Sequence, residues 1–598
     1  MYFIYLFILL ISVYLAPALA LFPTLIYKPH TMISMPVLSS LLIVILVSML
    51  LAMHVFIHSV VLGITGGIVA LAIYRVYKAG QLVSLGFSFK SSQLYLFNLL
   101  LMLPFFVKLG THSFDQGDEI YSWNYWAIQH YLQLPPDFTH TGAPYPQFFP
   151  KLLAYQYQLI GNIDYQLPIK ALLGLFSFTL LNTFATAARP YFRNKNLKYG
   201  VLILWIVFGI GLQHFFNDGY ADPIMCSSLV LSVYYAWLAT QFKNKRSIFW
   251  WLALATGWVA AYAKQPGLLW LGLILPICFL YFNNKALFQY KFKTGLFLFA
   301  STGASLLWMV TEGKQFQANG GVIGASLQNR NLSDHLSYLL NHYFIQQPFL
   351  GVFFILALLG FVHYFRSKSL NKSKQKKIIL ALLVVLILPY LILWFTFGAY
   401  QLRLGQHVIA LMGLAVILSN YQGLFLYNKF IGLISKKIKI PLPNRYGYLG
   451  LIGLSIFGSL FLALKQERYK MPGIAWQAAG QRTLQVYFLK DGHKVYEETY
   501  QKPDKKIWVP TQYLYGIFYG HTPVVMVSGK SVLENILLEK PNYVMTASTE
   551  ITAENWANQL NQMIAQCPDA FNKITTQANR YNLGVYQLNY QNLVACIS

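Results

Sequence analysis

The chain has 598 residues, of which 56% are hydrophobic and only 11% are charged, and its net charge is +26. This composition excludes an ordinary water-soluble protein. Many apolar runs have the length of roughly 17 to 25 residues that a helix needs to cross a bilayer. The sequence therefore predicts an all-α polytopic membrane protein.

Hydropathy predicts thirteen or fourteen transmembrane helices. The first apolar run is too long for a cleavable signal peptide and lacks a basic start, so we interpret it as a span, with an uncleaved signal anchor as the alternative. The predicted spans lie near residues 2–27, 36–58, 60–77, 93–110, 168–187, 199–216, 222–240, 248–263, 266–282, 294–311, 348–365, 377–397, 405–427 and 446–465.

The last part of the chain, residues 466–598, has the composition of a soluble domain. Runs such as TLQVYFL and LGVYQLN are typical of strands, and ENWANQLNQMIAQC is typical of a helix. We therefore expect a transmembrane catalytic domain over 1–465 and a small α/β domain over 466–598. Cys567 and Cys596 both lie in this small domain, where an oxidising compartment would permit a disulfide between them.

The charged residues divide the loops into two sets. Alternate loops hold 25 Lys and Arg and none of the 19 Asp and Glu. By the positive-inside rule these loops are cytoplasmic. The loops 111–167 and 312–347 and the C-terminal domain then lie outside, which suggests a multi-pass protein of a bacterial inner membrane with its C-terminal domain in the periplasm. The net charge then reflects topology and the anionic inner leaflet; there is no nucleic-acid motif.

An acidic and aromatic stretch, FDQGDEIYSWNYWA, occupies residues 114–127 in the first large outer loop. One interpretation is helix capping, with Asp115 as N-cap, Asp118 and Glu119 in the first turn, and an amphipathic helix whose Trp and Tyr lie in the membrane interface. The other is catalytic, with a carboxylate that accepts a proton from an acceptor and aromatic rings that contact a sugar.

Polar residues also occur at the predicted outer ends of later spans. Asp222 precedes a proline, which is typical of an N-cap, but it could also act as a supporting acid. Lys264 and Arg403 lie where basic residues are scarce, so they either extend to lipid phosphates or hold the phosphate of a lipid-linked substrate. His407 lies four residues after Arg403 and could add a donor, or it could be a packing histidine.

The order of these motifs resembles the GT-C superfamily of membrane glycosyltransferases, with the protein O-mannosyltransferase and aminoarabinose transferase group as the nearest relatives. The resemblance covers roughly residues 90 to 430. It is carried in chain order by Asp118, Trp123 and Asn124, by Tyr145, Pro146 and Pro150, by Gly219 to Asp222, by Ala263, Lys264 and Gly267, and by Arg403.

The resemblance implies a glycosyltransferase that uses a polyprenyl-phosphate-linked sugar and works among membrane lipids. Asp118 would be the catalytic base, and Lys264 and Arg403 would bind the donor phosphate. Apart from the resemblance, the flat apolar faces of aromatic rings make Trp123 and Tyr145 candidates for contacts with the sugar or the acceptor. The acceptor could be a protein, a lipid or a glycan.

The sequence departs from this family in two places. Gly142 to Pro144 stand before the Tyr-Pro pair where relatives often have a His or Asp, and Gln265 and Pro266 follow Lys264 where relatives have Asn-Glu. No D-x-D motif supports a metal site, so no cofactor is predicted, although the acids could still assemble a divalent metal site in space. These acids are Asp115, Asp118, Glu119 and Asp222.

Two other functions remain possible from the sequence. A lipid-linked saccharide transporter or flippase would carry its polar groups near the bilayer midplane, often in two related halves. An oligosaccharide ligase or polymerase would move whole oligosaccharides from a lipid carrier.

Overall fold

The computed structural model describes a mostly helical chain that ends in a small mixed domain. The described residues are 2–27, 29–82, 98–100, 102–103, 106–107, 109–110, 114, 122–136, 146–163, 165–188, 220–242, 246–264, 266–274, 333, 337, 386–387, 406–419, 507–508, 524–525, 531–546, 554–574 and 584–597.

The first part of the chain forms a layer of packed helices. The helices are α1 (Tyr2–Leu9), α2 (Ala16–Leu21), α3 (Pro29–Met32), α4 (Met35–Ala52), α5 (His58–Leu82), α6 (Asn124–Tyr131), α7 (Phe148–Ile160), α8 (Gln166–Ala188), α9 (Asp222–Gln241), α10 (Arg246–Ala263), α11 (Gly267–Leu269) and α12 (Gln406–Ser419). Short π-helical and 3-10 segments join some of them: Leu10–Leu15, Pro23–Tyr27 and Trp270–Ile274.

Five helices among the described residues are long and apolar enough to cross a membrane, namely Phe3–Leu21, His30–Ala52, His58–Ala79, Gln166–Ala187 and Asp222–Gln241. The last three match the predicted spans 60–77, 168–187 and 222–240 to within two residues. The first two correspond to the spans predicted over 2–27 and 36–58 but end six residues earlier, at Leu21 and Ala52, and the second begins at His30. The predicted spans 199–216, 294–311, 348–365 and 446–465 lie outside the described residues.

The loop predicted over 111–167 contains two helices, α6 and α7. A helix, α6, does follow the acidic stretch. It is not an amphipathic interface helix, as one interpretation expected, because its residues from Asn124 to His130 are all buried. Its aromatic rings pack against protein instead of facing lipid headgroups. Helix α7 was not predicted at all.

Helix α7 binds to its neighbours through four consecutive polar side chains. Tyr155 hydrogen-bonds Thr65 of α5 at 2.6 Å, and the amide of Gln156 donates to Tyr14 at 3.2 Å. The hydroxyl of Tyr157 donates to Asn124 of α6 at 2.5 Å, and the amide of Gln158 donates to the backbone carbonyls of Phe56 and Tyr131 at 3.0 and 2.8 Å. Since an unpaired polar group in this interior would cost free energy, these bonds hold α7 in one position.

Helices α9 and α10 form an antiparallel pair in the centre of the helical layer. A shared hydroxyl joins them to the next segment, because Ser232 donates to the carbonyl of Ala253 at 2.5 Å and accepts from the indole of Trp270 at 2.6 Å. Helix α12 packs against α9, and α4 packs against both α7 and α10. The first residues of α9 and α12 and the last residues of α10 therefore lie near one another.

In the described residues of the C-terminal part there is a five-stranded sheet with three helices. The elements are β1 (Ile507–Trp508), β2 (Val524–Val525), α13 (Val532–Glu539), β3 (Tyr543–Thr546), α14 (Glu554–Gln566), β4 (Phe571–Lys573), β5 (Gly584–Leu588) and α15 (Tyr590–Ile597). The strand order is β2-β1-β3-β5-β4, with parallel pairing of β1 to β2 and β3 and antiparallel pairing around β5. The fold class is therefore as predicted: a helical membrane protein with a small α/β part at its C-terminal end.

Two of the sequence patterns in this domain are confirmed. LGVYQLN contains β5, and ENWANQLNQMIAQC contains α14. TLQVYFL lies outside the described residues. Cys567, just after α14, forms a disulfide with Cys596 of α15, while Cys226 of α9 is a free, buried thiol.

Candidate functional site

A buried ion pair joins the start of α9 to the end of α10. The ammonium of Lys264 lies 2.6 Å from Oδ1 of Asp222, and the two side chains are only 10% and 6% exposed. Lys264 follows the last residue of α10 and Asp222 is the first residue of α9, so the antiparallel arrangement of the two helices brings these ends together. The sequence predicted that both residues lie at the same membrane surface, and the structure brings them into contact.

This contact changes the interpretation of both residues. The N-cap of α9 is Ala221 and no side chain caps the helix, so the expected capping role of Asp222 is wrong. Its carboxylate instead neutralises Lys264. The alternative in which Lys264 extends toward lipid phosphates is wrong as well, because its ammonium is turned into the protein. Each buried charge is tolerated because the other compensates it.

The turn after Lys264 depends on Gly267. The backbone N–H of Gly267 donates to the carbonyl of Lys264 at 3.1 Å. A Cβ on Gly267 would lie 2.2 Å from the backbone carbon of Ala260, which is far inside any contact distance. The close approach of α11 to α10 therefore requires a residue without a side chain, which explains the glycine in the A-K-x-x-G motif.

His407 lies beside this ion pair. It is the second residue of α12, it is 6% exposed, and the charges of Asp222 and Lys264 both act on its ring. The first residue of α9, the residue after α10 and the second residue of α12 thus contribute a carboxylate, an ammonium and an imidazole that act electrostatically on one another and form one buried cluster. Arg403, which was expected on the same helix face as His407, lies outside the described residues.

The acidic stretch is described only in part. Asp115, Asp118 and Glu119 lie outside the described residues, and so does Tyr145. Trp123 is buried, with ring centroids of Trp126 and Phe149 at 5.5 and 5.8 Å. Its contact with a sugar stays a prediction. Within the described part of the chain no group of three or more His, Cys, Asp or Glu could hold a metal ion.

A largely apolar groove lies close to this cluster. Its volume is about 560 Å³, and its walls come from the last turns of α4, the first turn of α7 and the last turns of α10. Trp258 and Tyr262, whose ring centroids lie 4.6 Å apart, belong to its α10 wall, and Tyr262 is two residues before Lys264. The groove thus opens at the same end of the helical layer as the Asp222–Lys264 pair.

Among the described residues that line the groove, Lys151 is the one with a charged side chain. Its ammonium donates to the hydroxyl of Ser48 on α4 at 3.0 Å, and the same hydroxyl donates to the carbonyl of Val44. Among the described residues the Lys151 ammonium has a hydroxyl partner and no carboxylate partner, unlike Lys264. Burial lowers the pKa of this ammonium. An ammonium without a counter-charge in an apolar groove can attract an anion.

Two further polar residues lie beside Lys151. Gln147 lines the groove one helical turn before Lys151, and its Oε1 accepts a hydrogen bond from Nε2 of His130 at 3.1 Å. His130, on α6 outside the membrane-spanning segments, is 5% exposed. Burial, together with the nearby charge of Lys151, lowers the pKa of His130 to about 4, so its ring is neutral at physiological pH.

Neither the groove nor its lysine was predicted from the sequence. The stretch APYPQFFPKL, residues 143–152, lies in the loop predicted over 111–167, although the apolar residues Phe148, Phe149, Leu152 and Leu153 recur with helical spacing. A proline at position 150 is compatible with a first helical turn, and Gly161, at φ +77°, ends the helix. These signals together predict a helix of about the observed length.

Comparison with solved structures shows a distant likeness, whereas comparison of the sequence finds no match. No protein-family model matches the chain, and no curated protein matches it. Among solved structures, it is similar to the crystal structure of ArnT from Cupriavidus metallidurans bound to undecaprenyl phosphate. The two chains are 13% identical, the TM-score is 0.46, and the likeness covers 84% of this chain and 99% of that one. So distant a likeness establishes neither a shared family nor a shared substrate.

We predict that Lys264→Met destabilises the protein by about 3 to 5 kcal/mol, because it leaves the Asp222 carboxylate buried without its counter-charge. Adding Asp222→Asn to Lys264→Met should recover part of this loss, since the double variant buries no charge. Thermal unfolding of the wild type, both single variants and the double variant in detergent measures the coupling. Strictly additive losses would contradict a stabilising pair.

We predict that His130 makes the fold acid-sensitive. The folded ring stays neutral until about pH 4, whereas the unfolded ring takes up a proton below 6.5. Stability is therefore fully present above pH 6.5 and falls by about 3 kcal/mol as the pH approaches 4. His130→Gln, which cannot titrate, should lose less stability than the wild type between pH 7 and pH 4.5. If the free energy of unfolding fell equally with pH in the two proteins, His130 would not be the cause of the acid sensitivity.

Proposed function

We propose that this protein is a membrane glycosyltransferase that moves a sugar from a polyprenyl-phosphate donor to an acceptor on the extracytoplasmic face. The observation that carries the proposal is the apolar groove with Lys151 in its wall. A lipid phosphate combines a long apolar chain with one anionic group, and the groove offers matching surfaces for both. The order of motifs from Asp118 to Arg403 supports the transfer chemistry.

The start of α7 adds to the attraction for a phosphate. Lys151 and Gln147 both line the groove, and Gln147 is the N-cap residue of α7, so the N-terminus of this helix lies at the groove. A helix N-terminus carries a partial positive charge that favours anions. A lysine, a carboxamide and a helix N-terminus together suit a phosphate better than a neutral ligand.

The proposed reaction uses Asp118 as a base. The acceptor hydroxyl or amine attacks the anomeric carbon in line as the bond from that carbon to the phosphate oxygen breaks, and Asp118 takes the acceptor proton. The electron pair of the broken bond leaves with the polyprenyl phosphate, which needs no protonating acid. The configuration at the anomeric carbon is inverted, as the family resemblance implies. Asp115 and Glu119 are supporting acids in this scheme.

The other predicted site residues take secondary roles in the proposal. Lys264, Arg403 and His407 are candidates for contacts with the donor phosphate, but Asp222 already neutralises Lys264. We therefore assign the main ground-state contact to Lys151, with Arg403 as the second cation. Trp123 and Tyr145 remain candidates for contacts with the sugar or the acceptor, which could be a protein, a lipid or a glycan.

We predict that Asp118→Asn abolishes sugar transfer and leaves binding of the lipid donor nearly intact. The purified protein is incubated with a short-chain polyprenyl-phosphate sugar and candidate acceptors, and products are identified by mass spectrometry. Full activity of Asp118→Asn would remove Asp118 as the base. Translocation without transfer in reconstituted vesicles would support a flippase, and release of intact oligosaccharide from a pyrophosphate carrier would support a ligase or polymerase.

We predict that Lys151→Met weakens binding of a sugar-free short-chain polyprenyl phosphate at least tenfold, since a charge-assisted contact contributes about 1.5 to 3 kcal/mol. The matched control is Lys78→Met, which removes an exposed lysine of α5 far from the groove. Equal binding by both variants would show that the groove lysine does not hold the phosphate.

A further inference from the structure

Ser48 is the one polar side chain that α4 contributes to the wall of the groove, among the residues that the structure describes. It lies in the middle of the α4 face that lines the groove, and the other residues of that face are apolar: Val44, Ile45, Met49 and Ala52. These positions recur at the spacing of one side of a helix. The hydroxyl of Ser48 therefore interrupts an otherwise apolar surface.

The hydrogen bonds of Ser48 fix the role of its hydroxyl. A serine hydroxyl has one proton and two lone pairs. Ser48 donates its proton to the carbonyl of Val44 at 2.8 Å, so its oxygen accepts the bond from the ammonium of Lys151 at 3.0 Å. Because the proton of Ser48 is already used, Lys151 is the member of this pair that can donate to an anion.

The bond to Ser48 restricts the Lys151 side chain before any ligand binds. An ammonium has three N–H groups, and one of those of Lys151 is directed at Ser48. The described part of the chain provides no partner for the other two, and Lys151 lines the groove. A free lysine side chain has many rotamers, so fixing it costs conformational entropy on binding. A lysine that is already held avoids part of this cost.

We infer that Ser48 is a positioning residue, which holds the Lys151 ammonium so that its two other N–H groups can bind the phosphate of the lipid donor. The inference rests on the proposed function, since it concerns the same groove and the same ligand. The partner has to be neutral for this role. A hydroxyl accepts a hydrogen bond and leaves the positive charge of the ammonium available, whereas a carboxylate would compensate that charge.

The rival explanation is that the bond between Lys151 and Ser48 only ties α7 to α4. Three variants of Ser48 test its role. Ser48→Ala removes the acceptor, and Ser48→Thr keeps a hydroxyl at the same position. Ser48→Asp replaces the neutral acceptor by a carboxylate, which should neutralise the ammonium as Asp222 neutralises Lys264.

Two control variants match the two explanations. Ser40, on the same helix, donates to the carbonyl of Pro36 at 2.7 Å and has no lysine partner among the described residues, so Ser40→Ala removes the same kind of bond within α4. Tyr155 ties α7 to α5 through Thr65 at 2.6 Å and does not line the groove, so Tyr155→Phe removes a tie of α7 without changing the groove wall.

Binding of a radiolabelled short-chain polyprenyl phosphate without sugar is measured on the full-length protein in nanodiscs, with thermal unfolding in parallel. We expect Ser48→Ala to weaken binding about three- to tenfold, as for the loss of one hydrogen bond, and Ser48→Thr to keep most of the affinity. Ser48→Asp should weaken binding more than Ser48→Ala does, because its carboxylate competes with the phosphate for the ammonium. Ser40→Ala should bind as the wild type does.

The comparison with Tyr155→Phe separates a positioning role from a structural one. Tyr155→Phe should lower the melting temperature and leave the affinity unchanged. An equal loss of affinity in Tyr155→Phe and Ser48→Ala would reduce Ser48 to a structural tie. In the Lys151→Met background, Ser48→Ala should cause no further loss of affinity, because Ser48 acts through Lys151; a further loss would contradict this route.

Two other results would overturn the inference, and they differ in what they remove. Wild-type affinity in Ser48→Ala, together with weak binding by Lys151→Met, would leave the proposed function standing and remove Ser48 as a positioning residue. Absence of binding by the wild-type protein would remove both proposals.

Discussion

The hydrogen bonds along α7 are the constraint on which the rest of the described helical layer depends. The side chains of residues 155 to 158 each bind a different neighbour, on α5, the first span, α6 and the turn after α4. In an apolar interior each of these groups costs free energy unless it is paired. The bonds therefore favour one rotation of α7 about its axis and one position of α7 along that axis. That choice also places Gln147 and Lys151, at its other end, in the groove.

Two lysines at the same end of the layer, the buried Lys264 and the partly buried Lys151, illustrate how the partner of an ammonium determines what it can bind. Lys264 lies against the carboxylate of Asp222, so the pair as a unit carries no net charge. Lys151 lies against the hydroxyl of Ser48, which orients the ammonium without neutralising it. Under the proposed function, the partner side chain thus decides whether the lysine forms a structural ion pair, as with Asp222, or can bind an anion, as with Ser48. The surplus positive charge of the described site belongs to Lys151.

The sequence predicted the large features because they depend on composition. Apolar length predicts spans, and the charge bias predicts that Asp222 and Lys264 share a surface; neither requires knowledge of contacts. The capping role of Asp222 failed because Asp-Pro has the same local pattern whether or not a distant lysine approaches the carboxylate. Lys151 was missed because its importance comes from α4 and α10, which are remote in sequence.

The distribution of cations also bears on how transfer would be accelerated under the proposed function. The donor is a phosphodiester with one negative charge, whereas the departing polyprenyl phosphate is a monoester whose charge approaches −2 near neutral pH. Lys151 can balance the first charge in donor and product alike, so by itself it aids binding more than rate. Acceleration of the transfer therefore requires a further cation that interacts more strongly with the leaving phosphate as its negative charge grows. Arg403 is one candidate, and Lys264 is the other, since growing negative charge on the leaving oxygen would compete with Asp222 for its ammonium.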